Sequence, residues 1–445
     1  MRDLAMHDTI AALATAPGQA GIAIVRVSGT DAEKALRALF FPYQKNCPFE
    51  SHKLYLGRVM ENGRQIDECM AVLMRAPKSY TREDVAEFQL HGGAWAASAT
   101  LKALSDLGVR SAEPGEFTLR AFLNGRVDLS EAESVMRLIH SSGKRAAQAA
   151  LRQLNGGASS FIAEAQKTLV EMLSSLEAAI DYPDEVEEQE TAQTLAEKAR
   201  ALAKKLLSAC DERSARMLED GMNVVLCGSP NAGKSTLLNA LLEEERAIVT
   251  DIPGTTRDIV RGAIQLDGMR VNLLDTAGVR EGADAVEQIG VDRALNAVKQ
   301  ADLVLLLIDP SMENAVDERL NALIAERPHL ILYTKADLTE KISVSGDALS
   351  ISAKTGMGMD ELKKRIAAFG AGLGEAPLTE RRHMELARSA AQTLLCAADT
   401  FENGAPLEFG AVDLHEALDT LAAVTGERVD EKLLDDIFSR FCVGK

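Results

Sequence analysis

The sequence lacks any long apolar run. No uninterrupted apolar stretch reaches membrane-spanning length, and the first residues lack the basic, apolar and small-residue order of an export signal. With 46% hydrophobic and 26% charged residues, the composition is typical of a soluble globular protein. These absences predict a cytoplasmic protein without a membrane segment.

Cysteine is scarce, and the six cysteines are scattered with no Cys-x-x-Cys pair among them. That spacing is typical of structural zinc and redox sites. We therefore expect reduced thiols and no structural zinc. The cysteines are Cys47, Cys69, Cys210, Cys227, Cys396 and Cys442.

Positive charge is also in short supply, because 49 Lys and Arg residues stand against 67 Asp and Glu residues, for a net charge of −18. A protein that coats nucleic acid through bulk phosphate attraction needs a clustered basic surface. The charge balance argues against that class of protein. RNA held at a local site remains compatible with it.

The chain of 445 residues favours two or three domains. Short β-rich runs at 22–27, 54–59, 70–74 and 85–90, with helical patterns near 31–40 and 94–107, predict an N-terminal α+β domain. From Ser130 the pattern becomes helical, and it is interrupted by the acidic run PDEVEEQE at 183–190, which we expect to be a solvated loop. One helix face is predicted from the spacing of Leu169, Met172, Leu173, Leu176 and Ile180.

Strand and helix patterns alternate between residues 219 and 375, and helical patterns return after them. Apolar strands are expected at 223–227, 271–274, 303–308, 330–333 and 349–351, as in a parallel sheet covered on both faces. The simplest organisation is an all-α helical domain with an inserted α/β domain, although a separate C-terminal bundle fits nearly as well. The predicted boundaries are 1–122 for the α+β domain, 123–218 plus 376–445 for the helical domain, and 219–375 for the insertion.

A phosphate-binding loop is predicted at residues 228–235, where GSPNAGKS follows an apolar strand and precedes a helical pattern. Glycines let backbone N–H groups face phosphate oxygens, and the helix N-terminus adds positive potential. Lys234 is expected to reach the β- and γ-phosphates, and Ser235 to ligate Mg²⁺. The alternative is an ordinary glycine turn.

Further motifs at fitting distances indicate a GTP site. DTAG at 275–278 ends a strand, where Asp275 can hold the magnesium shell and Gly278 can sense the γ-phosphate. TKAD at 334–337 ends a later strand, where the Asp337 carboxylate can accept guanine N1–H and the exocyclic amine, a pattern that adenine does not offer. SAK at 352–354 fits the last guanine-contacting loop. This order resembles the GTPase superfamily.

Two positions depart from the usual GTPase pattern. Thr334 replaces the Asn of the guanine motif, so an amide is lost while a hydroxyl is kept, and Asp337 still carries the discrimination. Val279 stands where many relatives carry a water-orienting Gln. Because valine cannot orient water, another group must do so.

Nearly the whole chain resembles the MnmE family of tRNA-modification GTPases, also known as TrmE. The resemblance rests on GIAIVRVSG at 21–29, PGEFT at 114–118, TDIPGTTRD at 250–258 and the terminal FCVGK at 441–445, and also on DTI at 8–10, HGG at 91–93 and RAFLN at 120–124. It implies a P-loop GTPase (G) domain at 219–375. The implied GTP-contacting residues are Asn231, Ala232, Gly233, Lys234, Ser235, Thr236, Thr250, Asp251, Ile252, Pro253, Gly254, Thr255, Thr256, Asp275, Thr276, Ala277, Gly278, Thr334, Lys335, Asp337, Ser352, Ala353 and Lys354.

The resemblance also implies how hydrolysis is stimulated. Thr256 would join Ser235 as an Mg²⁺ ligand, and Glu287 would orient the attacking water in place of the residue that Val279 replaces. A bound K⁺ would act where other GTPases receive an arginine finger. From the residues alone, a loop-capping Asn231 and a solvated Glu287 charge are the alternatives. The implied K⁺ ligands are Asn231, Thr250, Ile252 and Thr255.

For the N-terminal domain the resemblance implies a constitutive homodimer that binds 5-formyltetrahydrofolate as a one-carbon donor. Guanidinium groups suit the folate carboxylate, and Glu87 can accept from the pterin ring. Surface ion pairs are the alternative for this set, and a structural thiol is the alternative to a chemical role for Cys442. The implied folate ligands are Arg26, Glu87, Arg126 and Lys445.

The implied function is a K⁺-stimulated GTPase that works with the flavoprotein MnmG, in a heterotetramer or larger assembly, on C5 of the wobble uridine of certain tRNAs. FAD and NADH are expected on the partner, because no Gly-x-Gly-x-x-Gly fingerprint follows a strand here. Glycine or ammonium would donate the amine. A ribosome-assembly or signalling GTPase without modification chemistry is the alternative, and a folate-binding protein with a decayed GTPase domain is disfavoured by the intact Lys234, Ser235, Asp275 and Asp337.

Overall fold

The structure is a computed structural model, and it describes residues 8–141, 143–182, 188–229, 231–244, 260–275, 295–311, 318–338, 347–371, 373 and 375–444. The chain divides into two compact units, each described here by itself. The first unit contains residues 1–136, 154–178 and 411–445, and the second contains 137–153 and 179–410.

Among the described residues of the first unit, seven strands form one sheet in the order β3-β4-β5-β6-β2-β1-β7. The central pairings are antiparallel, and β7 pairs parallel with β1. The four β-rich runs predicted from the sequence are confirmed, whereas the short strands β1, β3 and β7 were not predicted. The strands are β1 (Ile10–Leu13), β2 (Ile22–Ser28), β3 (Phe40–Pro42), β4 (Leu54–Glu61), β5 (Arg64–Met74), β6 (Val85–His91) and β7 (Arg110–Ser111).

Helices follow the predicted helical patterns in both units. Apolar residues at helical spacing drive these segments to bury one face. The acidic run was expected to remain a loop through residue 190, but α7 begins at Glu188, which corrects that expectation; carboxylates are favourable in the first turn of a helix. The helices are α1 (Ala32–Leu39), α2 (Ala94–Asp106), α3 (Glu116–Leu123), α4 (Leu129–His140), α5 (Lys144–Leu154), α6 (Gly157–Asp181), α7 (Glu188–Ser208), α8 (Glu212–Glu219), α9 (Lys234–Glu244), α10 (Glu318–Ala325), α11 (Met359–Ala368), α12 (Arg381–Glu402), α13 (Leu407–Thr425) and α14 (Glu431–Ser439).

Helices α1 and α2 both pack on the same face of the first unit's sheet. Val25, Leu73 and Phe88 point into that core and are fully buried, together with Leu36 of α1 and Leu104 of α2. Side chains alternate between the two faces of a strand, so the residues between these point to the other face. That second face carries both exposed apolar side chains and the predicted folate ligands.

The second unit contains a sheet in the order β13-β12-β11-β8-β10-β9 among the described residues. Neighbouring strands are parallel except β9, which pairs antiparallel with β10. The five predicted strands are confirmed, and β9 was not predicted. Apolar clusters lie on both faces, as expected of a buried parallel sheet. The strands are β8 (Met222–Gly228), β9 (Val260–Leu266), β10 (Met269–Asp275), β11 (Leu303–Ile308), β12 (His329–Tyr333) and β13 (Leu349–Ser350).

Candidate functional site

The predicted phosphate loop lies between β8 and α9. Gly228, Asn231 and Gly233 have positive φ angles of 153°, 63° and 93°. A side chain at Gly228 would place a Cβ only 2.5 Å from the Leu307 carbonyl oxygen, so glycine is required there. The loop therefore curls tightly at the carboxyl end of a buried strand and leads into a helix N-terminus, the geometry that binds phosphate.

Lys234 starts α9 and is buried against the loop. Its Nζ donates to the carbonyl oxygens of Gly228 and Ser229, each at 2.8 Å. Burial lowers the pKa of the Lys234 ammonium, and the nearby Asp275 carboxylate opposes that shift. The ammonium thus lies folded into the loop that is predicted to hold phosphate.

Polar groups around the loop fit a magnesium nucleotide. The Ser229 Oγ atom is buried and has no hydrogen-bond partner among the residues that the structure describes, and such an atom costs free energy unless a ligand or water satisfies it. Ser235, Thr236 and Asn231 are exposed at the start of α9 and in the loop, while Ala232 is buried. The donor set accords with a bound phosphate and a hard cation that prefers oxygen ligands.

Asp275 ends β10 beside the phosphate-loop strand. It is aligned with Leu226 across the parallel β10–β8 pair and is only 2% exposed. Carboxyl ends of parallel strands meet at one edge of a sheet, which brings Asp275 to the same edge as the phosphate loop. The structure therefore brings together the residues of the two phosphate motifs that it describes.

The predicted guanine loops also meet at this edge. The Ser352 Oγ atom donates to Asp337 Oδ1 at 2.7 Å, and this hydrogen bond lowers the pKa of the Asp337 carboxyl. The Ala336 N–H donates to the Ile351 carbonyl oxygen at 3.1 Å. The TKAD and SAK motifs are thereby tied to each other, with Ala353 partly buried and Lys354 exposed beside them.

Asp309 also lies at this edge, and it was not predicted from the sequence. Asp309 follows β11, is fully buried, and accepts from Lys335 Nζ at 2.5 Å. The only local signal was an Asp-Pro pair after an apolar strand, which is typical of an ordinary turn. Its proximity to the guanine motif depends on strand order, which the sequence did not give.

The remaining predicted nucleotide-site residues lie outside the described residues, and so does Val279. Their roles stay predictions. The same holds for the terminal lysine of the folate set. These residues are Thr250, Asp251, Ile252, Pro253, Gly254, Thr255, Thr256, Thr276, Ala277, Gly278, Glu287 and Lys445.

A second polar cluster lies on the open face of the first unit's sheet. Arg26 and Glu87 are directly opposite on β2 and β6, and Arg26 Nε donates to Glu87 Oε1 at 2.8 Å. The Arg26 guanidinium lies 5.4 Å from the Tyr80 ring centroid, and that of Arg126 lies 4.6 Å from it. Arg126 also donates to the Tyr80 carbonyl oxygen at 3.1 Å. The three described members of the predicted folate set are thus brought together around one tyrosine.

Tyr80 was not predicted to belong to this cluster. Its hydroxyl bonds the buried Thr118 hydroxyl at 2.9 Å, which anchors the ring to α3. Cation–π contact with guanidinium groups stabilises both arginines where they are. No motif marks Tyr80 in the sequence, because its partners come from three distant segments.

The chain end approaches the same cluster. Val443 forms an isolated antiparallel bridge with Pro114, and Arg26 Nη1 donates to the Gly444 carbonyl oxygen at 3.4 Å. A side chain at Gly444 would place a Cβ 2.3 Å from the Leu13 carbonyl oxygen, so the tail packs closely on β1. Cys442 is exposed just before this bridge.

Several sequence stretches that carry the resemblance converge on a buried ion-pair network. Arg120 Nη2 donates to Asp8 Oδ1 at 2.6 Å and to Glu116 Oε1 at 2.9 Å, and Arg110 Nη2 donates to the same Glu116 oxygen at 2.6 Å. Arg120 and Glu116 are both buried, so breaking this network would leave an uncompensated charge. We assign these residues to the support of β1 and α3.

Two family models match the chain. The MnmE helical domain matches residues 129–442, and the N-terminus of the GTP-binding protein TrmE matches residues 9–126. A tRNA modification GTPase MnmE of Syntrophotalea carbinolica is 43% identical over 98% of this chain and 99% of its own length. Another, of Chloroflexus aurantiacus, is 43% identical over 99% of this chain and 100% of its own length. The chain belongs to the MnmE family.

Membership in the MnmE family makes the chain a GTP hydrolase with an N-terminal domain, a helical domain and a G domain. The G domain of the T. maritima FeoB iron transporter is 28% identical over 34% of this chain and 98% of that chain, with a TM-score of 0.25. A TM-score this low supports no conclusion about the fold. No helix in the described ranges is both long and apolar enough to cross a membrane.

Proposed function

We propose that this MnmE-family chain is a K⁺-stimulated GTPase that, with the flavoprotein MnmG, adds a carboxymethylaminomethyl or aminomethyl group at C5 of the wobble uridine of certain tRNAs in the cytoplasm. One observation carries this proposal most strongly. A phosphate loop with its guanine motif and a compact arginine–glutamate–arginine cluster occur in the same chain. A switch GTPase needs only the first of these.

In the proposed G-domain reaction, the side chains of the chain bind GTP and stabilise charge. Lys234 releases its loop carbonyls and binds the β- and γ-phosphates, while Asp337 accepts from the guanine edge. Ser235 and Thr256 would hold Mg²⁺, with Asp275 in its outer shell, and the ion would neutralise negative charge on the phosphates. Glu287 orients the attacking water, a role that valine at position 279 cannot perform. Hydrolysis would drive a conformational cycle rather than the carbon chemistry.

Potassium dependence rests on Asn231. This exposed residue of the phosphate loop adopts φ of +63°, which is uncommon for a residue with a side chain. Backbone carbonyls of Thr250, Ile252 and Thr255 would complete the K⁺ site. The ion would stabilise the charge that develops on the transferred phosphoryl group.

Replacing K⁺ by Na⁺ at constant ionic strength is expected to lower GTP turnover at least about tenfold, because the smaller ion fits a site of K⁺ size poorly and transition-state charge loses its partner. The rate of phosphate release, measured in buffers that differ only in the monovalent cation, gives the GTP turnover. The variant Asn231→Ala should turn over slowly in both salts. Equal wild-type rates in the two salts would refute the K⁺ assignment.

The Arg26–Glu87–Arg126 cluster supports a folate site. Two guanidinium groups can bind carboxylate oxygens, and Glu87 can accept from the pterin amine and ring N–H. The side chains of Arg26 and Glu87 are only 16% and 13% exposed, so their charges lie in a partly dry site where such bonds are stronger than in water. Tyr80 offers an aromatic ring beside them, and Lys445 would add a further cation.

An Arg26→Ala variant is expected to raise the Kd for 5-formyltetrahydrofolate roughly 10- to 100-fold, the cost of one or two hydrogen bonds to a charged group. Isothermal calorimetry measures this directly. Arg64→Ala, an exposed arginine on the neighbouring β5, is the matched control and should bind like the wild type. If the wild type binds no folate, the alternative of a GTPase switch without modification chemistry is favoured.

A homodimer is supported by the open face of the sheet. This face carries Ile22, Phe41, Leu54, Leu56 and Met70, each between 41% and 54% exposed. Large exposed apolar patches on sheets are typical of protein interfaces. Leu54, Val72, Glu87 and Arg26 share one cross-strand row, so the apolar patch is continuous with the folate cluster.

Leu56→Asp is expected to convert the dimer to a monomer at micromolar concentration, because a carboxylate would be buried without a partner at the interface. Sedimentation velocity measures the change. Leu107→Asp, at the exposed C-terminal end of α2, introduces the same charge away from this face and should stay dimeric. A monomeric wild type would contradict the dimer.

MnmG would supply FAD and NADH in a heterotetramer or larger assembly, with glycine or ammonium as amine donor. The domain boundaries 1–122, 123–218 plus 376–445, and 219–375 belong to this proposal. Exposed Cys442 lies near the cluster, and a role in the modification chemistry is part of the same hypothesis. Complementation of a strain that lacks the family's gene, followed by mass analysis of wobble uridines, tests the function. A folded, abundant protein that leaves these uridines unmodified would overturn it.

A further inference from the structure

Asp309 occupies a central place at the nucleotide edge of the second unit's sheet. It follows β11, whose Leu307 is aligned with Gly228 of the phosphate-loop strand and whose Ile308 is aligned with Tyr333, the residue before the guanine motif. Asp309 therefore stands between the phosphate loop and the guanine motif. The site as proposed above gives it no role.

The hydrogen bonds of Asp309 account for both carboxylate oxygens. Oδ2 accepts from Lys335 Nζ at 2.5 Å, and Oδ1 accepts from the Ser311 N–H at 2.9 Å and the Ser311 hydroxyl at 2.6 Å. These bonds, that of Lys335 first, lower the pKa of the Asp309 carboxyl to about 2. A fully buried charge is tolerated only when it is paired in this way.

Lys335 has a backbone that needs support. Its φ of +56° lies in the left-handed region, which is strained for a residue with a side chain. Such a conformation persists only where surrounding contacts hold it. The ion pair with buried Asp309 is such a contact, and the Leu338 N–H closes the turn by donating to the Lys335 carbonyl oxygen at 2.9 Å.

The guanine motif also departs from the usual sequence at its first residue. Thr334 stands where an amide side chain is usual, and its hydroxyl donates to the Ile308 carbonyl oxygen at 3.3 Å. The Thr334 N–H donates to the same oxygen at 2.9 Å. A motif with this weaker side-chain bond needs another group to fix its geometry.

We propose that Asp309 is a positioning residue for guanine recognition, which holds Lys335 and its left-handed turn so that Asp337 meets the base edge. This inference rests on the proposed guanine site. The Asp309–Lys335 ion pair lies next to Thr334 in the chain, where it supports the turn of the guanine motif.

A second buried carboxylate on the same strand provides a matched comparison. Asp302 precedes β11 at its opposite end, pairs with Arg216 and accepts from the Asn223 N–H at 2.8 Å. It is 9% exposed, and its partners are Arg216 of α8 and Asn223 at the start of β8, the opposite end of that strand from the phosphate loop. A purely structural ion pair should behave like that of Asp302.

The experiment compares Asp309→Asn with Asp302→Asn in the full-length protein. Asp309→Asn is expected to raise the Kd for GDP and GTP about tenfold while kcat at saturating GTP stays within about twofold, because the base is held less well but the phosphate chemistry is untouched. Asp302→Asn should lower the urea midpoint of unfolding and leave both Kd values unchanged. Wild-type affinity in Asp309→Asn would overturn the proposal.

A double-mutant cycle with Lys335→Met tests whether Asp309 acts through Lys335. The double variant Asp309→Asn with Lys335→Met should bind GDP no more weakly than Lys335→Met alone. Affinity losses that multiply would refute positioning through Lys335. Ser311→Ala, which removes one donor and keeps the charge, is a milder variant expected to raise the Kd about two- to threefold, and it serves if Asp309→Asn fails to fold.

An Asp337→Asn arm separates this inference from the site on which it rests. Loss of GTP preference in Asp337→Asn, with wild-type affinity in Asp309→Asn, would leave the guanine site intact and reject the positioning role. Unchanged GTP preference in Asp337→Asn would reject the guanine site itself.

Discussion

Asp337→Asn is expected to make the enzyme prefer xanthosine triphosphate to GTP. In the proposed guanine site the Asp337 carboxylate would accept from guanine N1–H and the exocyclic amine, whereas an amide presents one acceptor and one donor. Xanthine carries an oxygen where guanine carries the amine, so it matches the amide. The variant would lose two hydrogen bonds between guanine and a charged carboxylate. We therefore expect GTP affinity to fall at least about 100-fold.

Steady-state hydrolysis of the two nucleotides measures this inversion. Ser352 is 1% exposed and donates to Asp337 at 2.7 Å, so it holds the side chain at residue 337 in place in either variant. Asp347→Asn removes an exposed carboxylate from the loop before β13 and should leave the preference unchanged. GTP kinetics unaffected by Asp337→Asn would place guanine recognition elsewhere in the chain.

Lys234→Met is expected to lower kcat/KM for GTP by about 10³-fold or more. The ammonium is the main positive charge that the phosphate loop brings to the β- and γ-phosphates, and pre-organised charges of this kind contribute about 3–4 kcal/mol each to transition-state binding. Methionine keeps the length and the apolar stem but no charge. Pre-steady-state phosphate release separates this loss from slow product release.

The same variant should be no less stable than the wild type in the absence of nucleotide. Burial lowers the pKa of Lys234 from its ordinary 10.5, so the native state gives up its proton at lower pH than the unfolded chain does. The free energy of unfolding of the wild type therefore increases as pH rises through the folded-state pKa of Lys234. Lys234→Met should lack that alkaline gain, which urea unfolding at pH 7 and pH 10 measures. If the variant shows the same increase in stability between pH 7 and pH 10, another titrating group is responsible for that increase.

Local pattern carried the prediction of the nucleotide site. The phosphate loop, Asp275 and the TKAD motif each follow an apolar strand directly, so strand, turn and side chain are encoded within about ten contiguous residues. The parallel sheet followed from these apolar runs. The short β1, β3 and β7 were not predicted, because brief strands owe their extended form to a partner rather than to their own residues. The antiparallel β9, which has seven residues, was not predicted either.

The cluster of Arg26, Glu87 and Arg126 could not be predicted from local sequence pattern. Arg26, Glu87 and Arg126 were named only through family resemblance, since isolated charges on a strand or after a helix favour surface ion pairs. Tyr80 escaped notice altogether, although it contacts both arginines. Register across β2 and β6, and the anchoring of Tyr80 to Thr118, had to be known first.

The sequence by itself determined the family and the GTP hydrolase activity, and it predicted the residues that would contact phosphate and guanine, because these depend on short contiguous motifs. Only the tertiary structure placed Asp309 under Lys335, Tyr80 between Arg26 and Arg126, and the chain end beside β1. Each of these contacts joins residues that are distant in the chain. Strand order and register bring such residues together, and neither is written in any local pattern.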